Sequence, residues 1–160
     1  MLIKHRILYA DAHDDTAMAI SIFLTRRGFD VVRAAAFAEA LKVIEEQYFD
    51  LYLLERIYPD GCGIELCRRI TQYYPNRPVL FFSTIALWKE RSLAISSGAR
   101  DYLFKPDDLK RLPDVIEQAL LNRASCSSNS RISSNDRSPK QSISEKRSRA
   151  RAVGSSHTAG

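Results

Sequence analysis

The chain has 160 residues, 45% of them hydrophobic, and a formal net charge of +5. This length suits one domain with a sizeable core, and no apolar run approaches the roughly 18 residues of a membrane-spanning helix. The start MLIKHRILYADAHDD lacks the apolar segment of a signal peptide, and three cysteines without a CxxC spacing favour neither a disulfide framework nor a zinc site. We therefore predict a soluble, cytoplasmic protein without membrane contact.

The positive charge is concentrated at the C-terminal end. Seven of the 24 basic residues and two of the 19 acidic residues follow residue 123, so residues 1–123 carry 17 of each and are neutral overall. The segment 124–160 is rich in serine, contains no Phe, Tyr or Trp, and shows neither a helical nor a strand period. We predict a folded domain over 1–123 and a disordered, basic, Ser/Arg-rich tail over 124–160.

Short apolar runs alternate with helical patterns along the predicted domain. Five runs are too short for helices and suit strands buried on both faces: 7–10, 31–32, 51–54, 79–82 and 102–104. The first helix is predicted between an N-cap at Asp14 and Gly28, with Ala19, Ile20, Phe23 and Leu24 on one face. Four more helices are predicted near 37–44, 64–70, 88–97 and 109–120. Five strands alternating with five helices predict an α/β, doubly wound parallel sheet.

Polar side chains follow four of these predicted strands. Asp11, Glu55, Ser83 and Lys105 each stand at or just past a strand end. Because the carboxyl ends of parallel strands meet at one edge of the sheet, we expect two carboxylates, a hydroxyl and an ammonium to converge there. The sequence therefore predicts a functional site at this edge.

The motifs around these residues are specific when taken together. In order they are ILYADA, Glu55 followed by YPDGCG, VLFFST, and SGARDYLFKP. Each alone is weak, but all of them in this order and at these separations are similar to the receiver domain of two-component response regulators, over roughly residues 4–123. The resemblance implies a flavodoxin-like (βα)5 fold with strand order 2-1-3-4-5.

The resemblance also implies roles for individual residues. In the family, an aspartate after the third strand accepts a phosphoryl group from a histidine kinase, and Mg²⁺ is held by this aspartate and by an acidic pair after the first strand. The phosphoacceptor position is Glu55 here, and the acidic pair reads Asp11 and Ala12. The phosphate-binding and switch positions match the family pattern, at Ser83, Tyr102 and Lys105.

The two departures predict a loss of phosphorylation. Mg²⁺ needs near-octahedral oxygen ligands, so an alanine at position 12 predicts weak or absent Mg²⁺ binding. Glutamate moves the attacking oxygen by about 1 Å, which can cost on the order of 10²-fold in rate. We therefore interpret the chain as a phosphorylation-independent protein-interaction module, not an enzyme, whose partners are signalling proteins such as a histidine kinase or a downstream effector.

Other interpretations stay open. Glu55 could form a permanent ion pair with Lys105 or be the remnant of a lost site, and a glutamyl phosphoacceptor is the first alternative function. The second is a nucleic-acid-associated regulator whose KRSRAR segment gives weak, non-specific binding. A flavin-binding protein is a distant third, because the turn AHDDT is acidic rather than suited to phosphate.

Three further features surround the predicted site. His13 could ligate a transition metal but is better explained as a solvated loop residue. Ile57 and Ile85 are apolar at the expected rim of the pocket. Tyr58, Leu87 and Trp88 extend this character, and such a cluster is a recognised interaction signal.

Overall fold

The computed structural model describes residues 3–126, which form a five-stranded parallel sheet covered by helices on both faces. The strands of the sheet are β1 (Arg6–Ala10), β2 (Asp30–Ala34), β3 (Leu51–Leu54), β6 (Val79–Ser83) and β7 (Asp101–Phe104). Between β3 and β6 lies a hairpin of β4 (Ile57–Tyr58) and β5 (Gly61–Cys62). The helices are α1 (Asp14–Arg26), α2 (Phe37–Glu46), α3 (Gly63–Tyr73), α4 (Trp88–Ser96) and α5 (Leu112–Cys126).

The order in the sheet is β2-β1-β3-β6-β7, and all neighbours are parallel. Counting only the five strands of this sheet, the order is 2-1-3-4-5, so the predicted doubly wound fold is confirmed. The predicted tail falls almost entirely outside the described residues. Within 3–126, no helix has the length and hydropathy needed to cross a bilayer.

The sheet divides the interior into two cores because successive strand residues point to opposite faces. On one face, Leu8, Tyr52 and Phe81 pack with α2, α3 and Ala94 of α4. On the other face, Tyr9, Leu53 and Phe82 pack with α1 and α5. The central strands are buried on both sides, which explains why they read as continuous apolar runs.

The start of α1 differs from the prediction. Asp14 is the first helical residue and His13 occupies the N-cap position without a capping side-chain bond, so the predicted N-cap at Asp14 was wrong. The buried face consists of Ala17, Ile20 and Leu24, whereas Ala19 is exposed. A small residue such as alanine is tolerated on either face, so it carries little information about helix orientation. The predicted end at Gly28 is confirmed by its φ of 95°.

The turn after β3 contains structure that the sequence pattern did not indicate. β4 and β5 pair antiparallel and return the chain to β3, where the Gly63 amide donates to the Arg56 carbonyl at 2.9 Å. A Cβ atom at position 63 would lie 2.2 Å from the Glu55 carbonyl oxygen. Glycine is therefore required for α3 to begin so close to Glu55.

Candidate functional site

Backbone hydrogen bonds carry the sheet one residue beyond its strands and thereby position the site. The amide of Asp11 donates to Ala34 O at 2.9 Å, and that of Glu55 donates to Ala10 O at 2.9 Å. The amide of Lys105 donates to the carbonyl of Ser83 at 2.8 Å. The predicted convergence at the carboxyl edge of the sheet is thus imposed by the strand ladder.

Lys105 joins the two carboxylates. Its Nζ lies 2.5 Å from Asp11 Oδ2 and 3.0 Å from Glu55 Oε2. All three side chains are almost completely buried, with 5% of Lys105 exposed. The arrangement is therefore a triad of one ammonium and two carboxylates, larger than the Glu55–Lys105 pair considered from the sequence.

Asp11 is saturated with hydrogen bonds. Besides Lys105, its Oδ2 accepts from the Tyr9 hydroxyl at 2.6 Å, and its Oδ1 accepts from the His13 amide at 2.9 Å. Burial alone would raise the pKa of Asp11, but the bonds from Lys105, Tyr9 and His13 outweigh it and hold this pKa below its usual value. Burial and the neighbouring Asp11 charge raise the pKa of Tyr9, which stays a neutral donor.

Glu55 also has both carboxylate oxygens engaged. Oε1 accepts from the Arg56 amide at 2.5 Å, while Oε2 faces Lys105. Tyr58 lies beneath this segment, where its hydroxyl donates to Ala10 O at 3.0 Å and accepts from the Glu55 amide at 3.2 Å. Tyr58 is only 3% exposed, so it adds little to the apolar interaction surface that the sequence predicted around Ile57 and Ile85. The hairpin folds its ring inward, where the hydroxyl finds a partner.

The predicted switch residues Ser83 and Tyr102 both contact Ile85. Ser83 is buried and its Oγ accepts from the Ile85 amide at 3.2 Å. The Tyr102 hydroxyl donates to the Ile85 carbonyl at 2.8 Å, and its ring stacks on Phe81 with centroids 5.6 Å apart. The segment after β6 is therefore fixed by a side chain from β6 and one from β7.

Three side chains at this edge are close enough together to bind a cation. Ligand atoms of Asp11, His13 and Glu55 lie within 4.8 Å of one another. The His13 side chain is 70% exposed, with Nδ1 3.2 Å from Asp11 Oδ1. However, Lys105 already lies between the two carboxylates, and the side chain of Ala12 supplies no oxygen ligand. This donor set does not fit Mg²⁺, which requires near-octahedral oxygen coordination.

A cavity of about 460 Å³ opens beside Glu55. It is lined by Ala12, His13, Glu55, Ile57, Tyr58, Pro59, Thr84 and Ile85. Ile57, Leu87 and Trp88 are exposed by 56%, 61% and 72%, and Ile85 is half-buried. Ile57 and Ile85 line the cavity, whereas Leu87 and Trp88 follow Ile85 in the chain and are not among the lining residues. We refer to these four residues as the apolar rim.

Comparison with known proteins identifies the family of this fold and site. Residues 7–117 match the response regulator receiver domain. The chain belongs to this family. Its structure is similar to a CheY-like receiver domain protein from Methanospirillum hungatei, with a TM-score of 0.73, 25% identity, and 77% and 98% of the two chains covered. A two-component response regulator from Clostridium difficile has a TM-score of 0.69 and 31% identity, with 79% and 100% covered.

The receiver domain is also similar to parts of longer curated proteins. Response regulator protein PilR of Pseudomonas aeruginosa is 32% identical over 117 residues, which are 73% of this chain and 26% of that protein. The alkaline phosphatase synthesis transcriptional regulatory protein PhoP of Bacillus subtilis is 29% identical over 131 residues, 82% of this chain and 54% of the other. The chain thus covers about a quarter of the length of PilR and about half of the length of PhoP.

Two residues that contribute to the site, Tyr9 and Arg56, were not predicted from the sequence. Tyr9 donates to Asp11, and its position two residues earlier in β1 places both on one side of the strand, a signal that the alternation contained. Arg56 binds Glu90 through its Nε and lies 3.0 Å from Cys62 Sγ through Nη1. No local pattern indicates the contact with Glu90, because Glu90 lies 34 residues further along the chain, in α4.

Proposed function

We propose that this receiver domain is a degenerate one, which acts as a phosphorylation-independent interaction module in two-component signalling and is not an enzyme. The observation that carries the proposal is the triad of Lys105, Asp11 and Glu55. Lys105 places its ammonium against both carboxylates, so the chain's own cation already pairs with the two acids that a divalent cation would need. Glu55 is held by this ammonium instead of facing an incoming phosphoryl group.

Two physical costs oppose phosphoryl transfer to Glu55. Its Oε1 accepts from the Arg56 amide and its Oε2 from Lys105, so both oxygens are held in a fixed orientation and each donor weakens the oxygen as a nucleophile. A divalent cation would also have to displace Lys105 without help from Ala12. These costs act on the same step and reinforce each other.

The partners that we propose are proteins of a two-component pathway, such as a histidine kinase or a downstream effector. Support comes from the family membership and from similarity to proteins named as response regulators and transcriptional regulators. An interaction module needs no chemistry at Glu55, only a domain whose surface is held in a defined conformation. The triad provides such a constraint.

A phosphorylation assay tests the proposal. After incubation of the chain with acetyl phosphate and Mg²⁺, intact-mass spectrometry should show no phosphoryl adduct. The control is the double variant Ala12→Asp with Glu55→Asp, which restores both acids of the family pattern and should regain Mg²⁺-dependent labelling. A stoichiometric adduct on Glu55 of the unaltered chain would instead establish the alternative, a glutamyl phosphoacceptor.

A further inference from the structure

The cavity beside Glu55 is lined in part by apolar side chains, and further exposed apolar residues follow one of them in the chain. Ile57 reaches it from β4, and Ile85 from the segment after β6 that continues to Leu87 and Trp88. A cluster of large exposed apolar side chains around a concave surface is a signal of protein binding, whereas isolated ones are ordinary. The apolar rim therefore requires an explanation of its own.

The two sides of the rim are held in place by polar contacts. Arg56, next to Ile57, binds Glu90 in the first turn of α4, and the two side chains are 16% and 21% exposed. On the other side, Ser83 and Tyr102 hold the backbone of Ile85. The walls are therefore preformed, which lowers the conformational entropy lost when a partner binds.

Charge decides what the cavity can accept. Glu55 is the only carboxylate among the residues that line it, and both of its oxygens are already bonded. The His13 ring lies against Asp11, and the guanidinium of nearby Arg56 is paired with Glu90. A charged group entering the cavity would lose water without gaining a free opposite charge, which is costly. An uncharged apolar group loses nothing comparable and buries carbon against carbon.

We propose that the cavity and the apolar rim form a docking site for a partner protein, which inserts one large uncharged side chain of the leucine or phenylalanine type. This inference rests on the proposed function, because the space is free for an anchor only when no phosphoryl group is attached to Glu55. The exposed hydroxyl of Thr84 supplies a polar contact at the edge. Insertion would bury the rim residues Ile57 and Ile85 together.

Binding of small probes to the full chain tests the chemistry of the occupant. We would titrate the ¹⁵N-labelled protein with N-acetyl-leucinamide, N-acetyl-phenylalaninamide and N-acetyl-glutaminamide and follow the amide resonances. The two apolar probes should give saturable shifts at Ile57, Thr84 and Ile85, and the glutamine probe should not. Ile57→Asn should weaken binding by about tenfold through loss of buried apolar area. Leu121→Asn, at a site of similar exposure on α5 (62%), should leave binding unchanged.

Several outcomes would overturn the docking site. Equal shifts from the glutamine probe, or shifts unaffected by Ile57→Asn, would show that the cavity does not select apolar groups. A concentration-dependent dimer that Ile57→Asn dissociates in sedimentation would assign the surface to a second copy. Shifts at Ile57 and Ile85 on removal of residues 127–160 would assign it to the chain's own C-terminal segment. None of these measurements depends on phosphorylation. A phosphoryl adduct on Glu55 would therefore refute the proposed function independently of the docking site.

Discussion

Lys105 lies within hydrogen-bond distance of two buried carboxylates, and this single ammonium balances half of their charge. A buried carboxylate is tolerated when it is paired and hydrogen-bonded, and it becomes costly when its partner is removed. Asp11 has further donors in Tyr9 and the His13 amide, whereas Glu55 has the Arg56 amide. The energetics of the triad are therefore coupled and not a sum of separate ion pairs.

A double-mutant cycle measures this coupling. Lys105→Met removes the charge at similar length and should destabilise the domain by roughly 3 to 5 kcal/mol, because it leaves two carboxylates without their cation. Glu55→Gln should cost less, since Lys105 keeps Asp11. The double variant should be more stable than the sum of both effects by about 1 kcal/mol or more. Chemical denaturation gives the free energies of unfolding.

The control pairs Lys105→Met with Asp30→Asn. Asp30 binds Arg6 at the opposite end of the parallel strands, so these two effects should add within about 0.5 kcal/mol. Simple additivity of Glu55→Gln and Lys105→Met would contradict the coupling and leave Glu55 as the remnant of a lost phosphorylation site.

α4 is attached to the domain by several polar contacts and little buried apolar surface. Ala94 is its only fully buried residue, while Trp88, Leu93 and Ile95 are exposed. The helix is tied by the Arg56–Glu90 ion pair, and Arg91 Nη1 donates to the Tyr102 carbonyl at 2.9 Å. A helix with so little buried apolar surface is held weakly, which places it among the segments that open first.

We predict that Glu90→Gln loosens the start of α4. The amides of Glu90 and Arg91 donate to the Leu87 carbonyl, and their hydrogen exchange should accelerate by roughly tenfold. This factor corresponds to a loss of about 1.4 kcal/mol in the free energy of local opening, for an ion pair that is partly screened by solvent. Glu65→Gln is the matched control, because the Glu65–Arg69 pair lies within α3. If exchange in α4 is the same in both variants, the Arg56–Glu90 pair does not hold the helix.

At the scale of the whole molecule, charge separates the described domain from the segment that follows it. Residues after 123 carry seven basic and two acidic side chains, while the preceding residues are neutral overall. Such a charge distribution favours contacts with phosphates that carry no sequence information. The distribution is the basis for a prediction about nucleic-acid binding.

We predict weak, sequence-independent binding to duplex DNA whose logarithmic affinity falls linearly with the logarithm of salt concentration. Cutting the chain after Arg123 should abolish it, and fluorescence anisotropy with two unrelated duplexes provides the measurement. Replacing the arginines of KRSRAR by glutamine is the control, because it removes positive charge without shortening the chain. If the cut and full-length proteins bind DNA equally well, the tail is not the contact surface.

The sequence by itself determined the architecture of this protein. Buried parallel strands read as apolar runs such as 51–54 because both of their faces are covered, and helical spacing between them is visible in residues such as Phe37, Ala40, Leu41 and Ile44. Glycines at helix ends were visible for the same local reason. The strand-end positions of Asp11, Glu55, Ser83 and Lys105 followed from the alternation, so their convergence at one edge was predictable.

Only the tertiary structure decided how these residues are bonded. Lys105 is 94 and 50 residues away from the two carboxylates in the chain, and it binds both because β1 and β3 are neighbours and β7 lies two places from β3 in the sheet. The Tyr58 hydroxyl bonds to the Ala10 carbonyl because the hairpin folds the ring inward. Arg56 binds Glu90 because packing brings the start of α4 close to the residue before the hairpin. Local patterns report hydrophobicity and backbone preference along the chain, whereas side-chain partners are set by the distances between elements after packing.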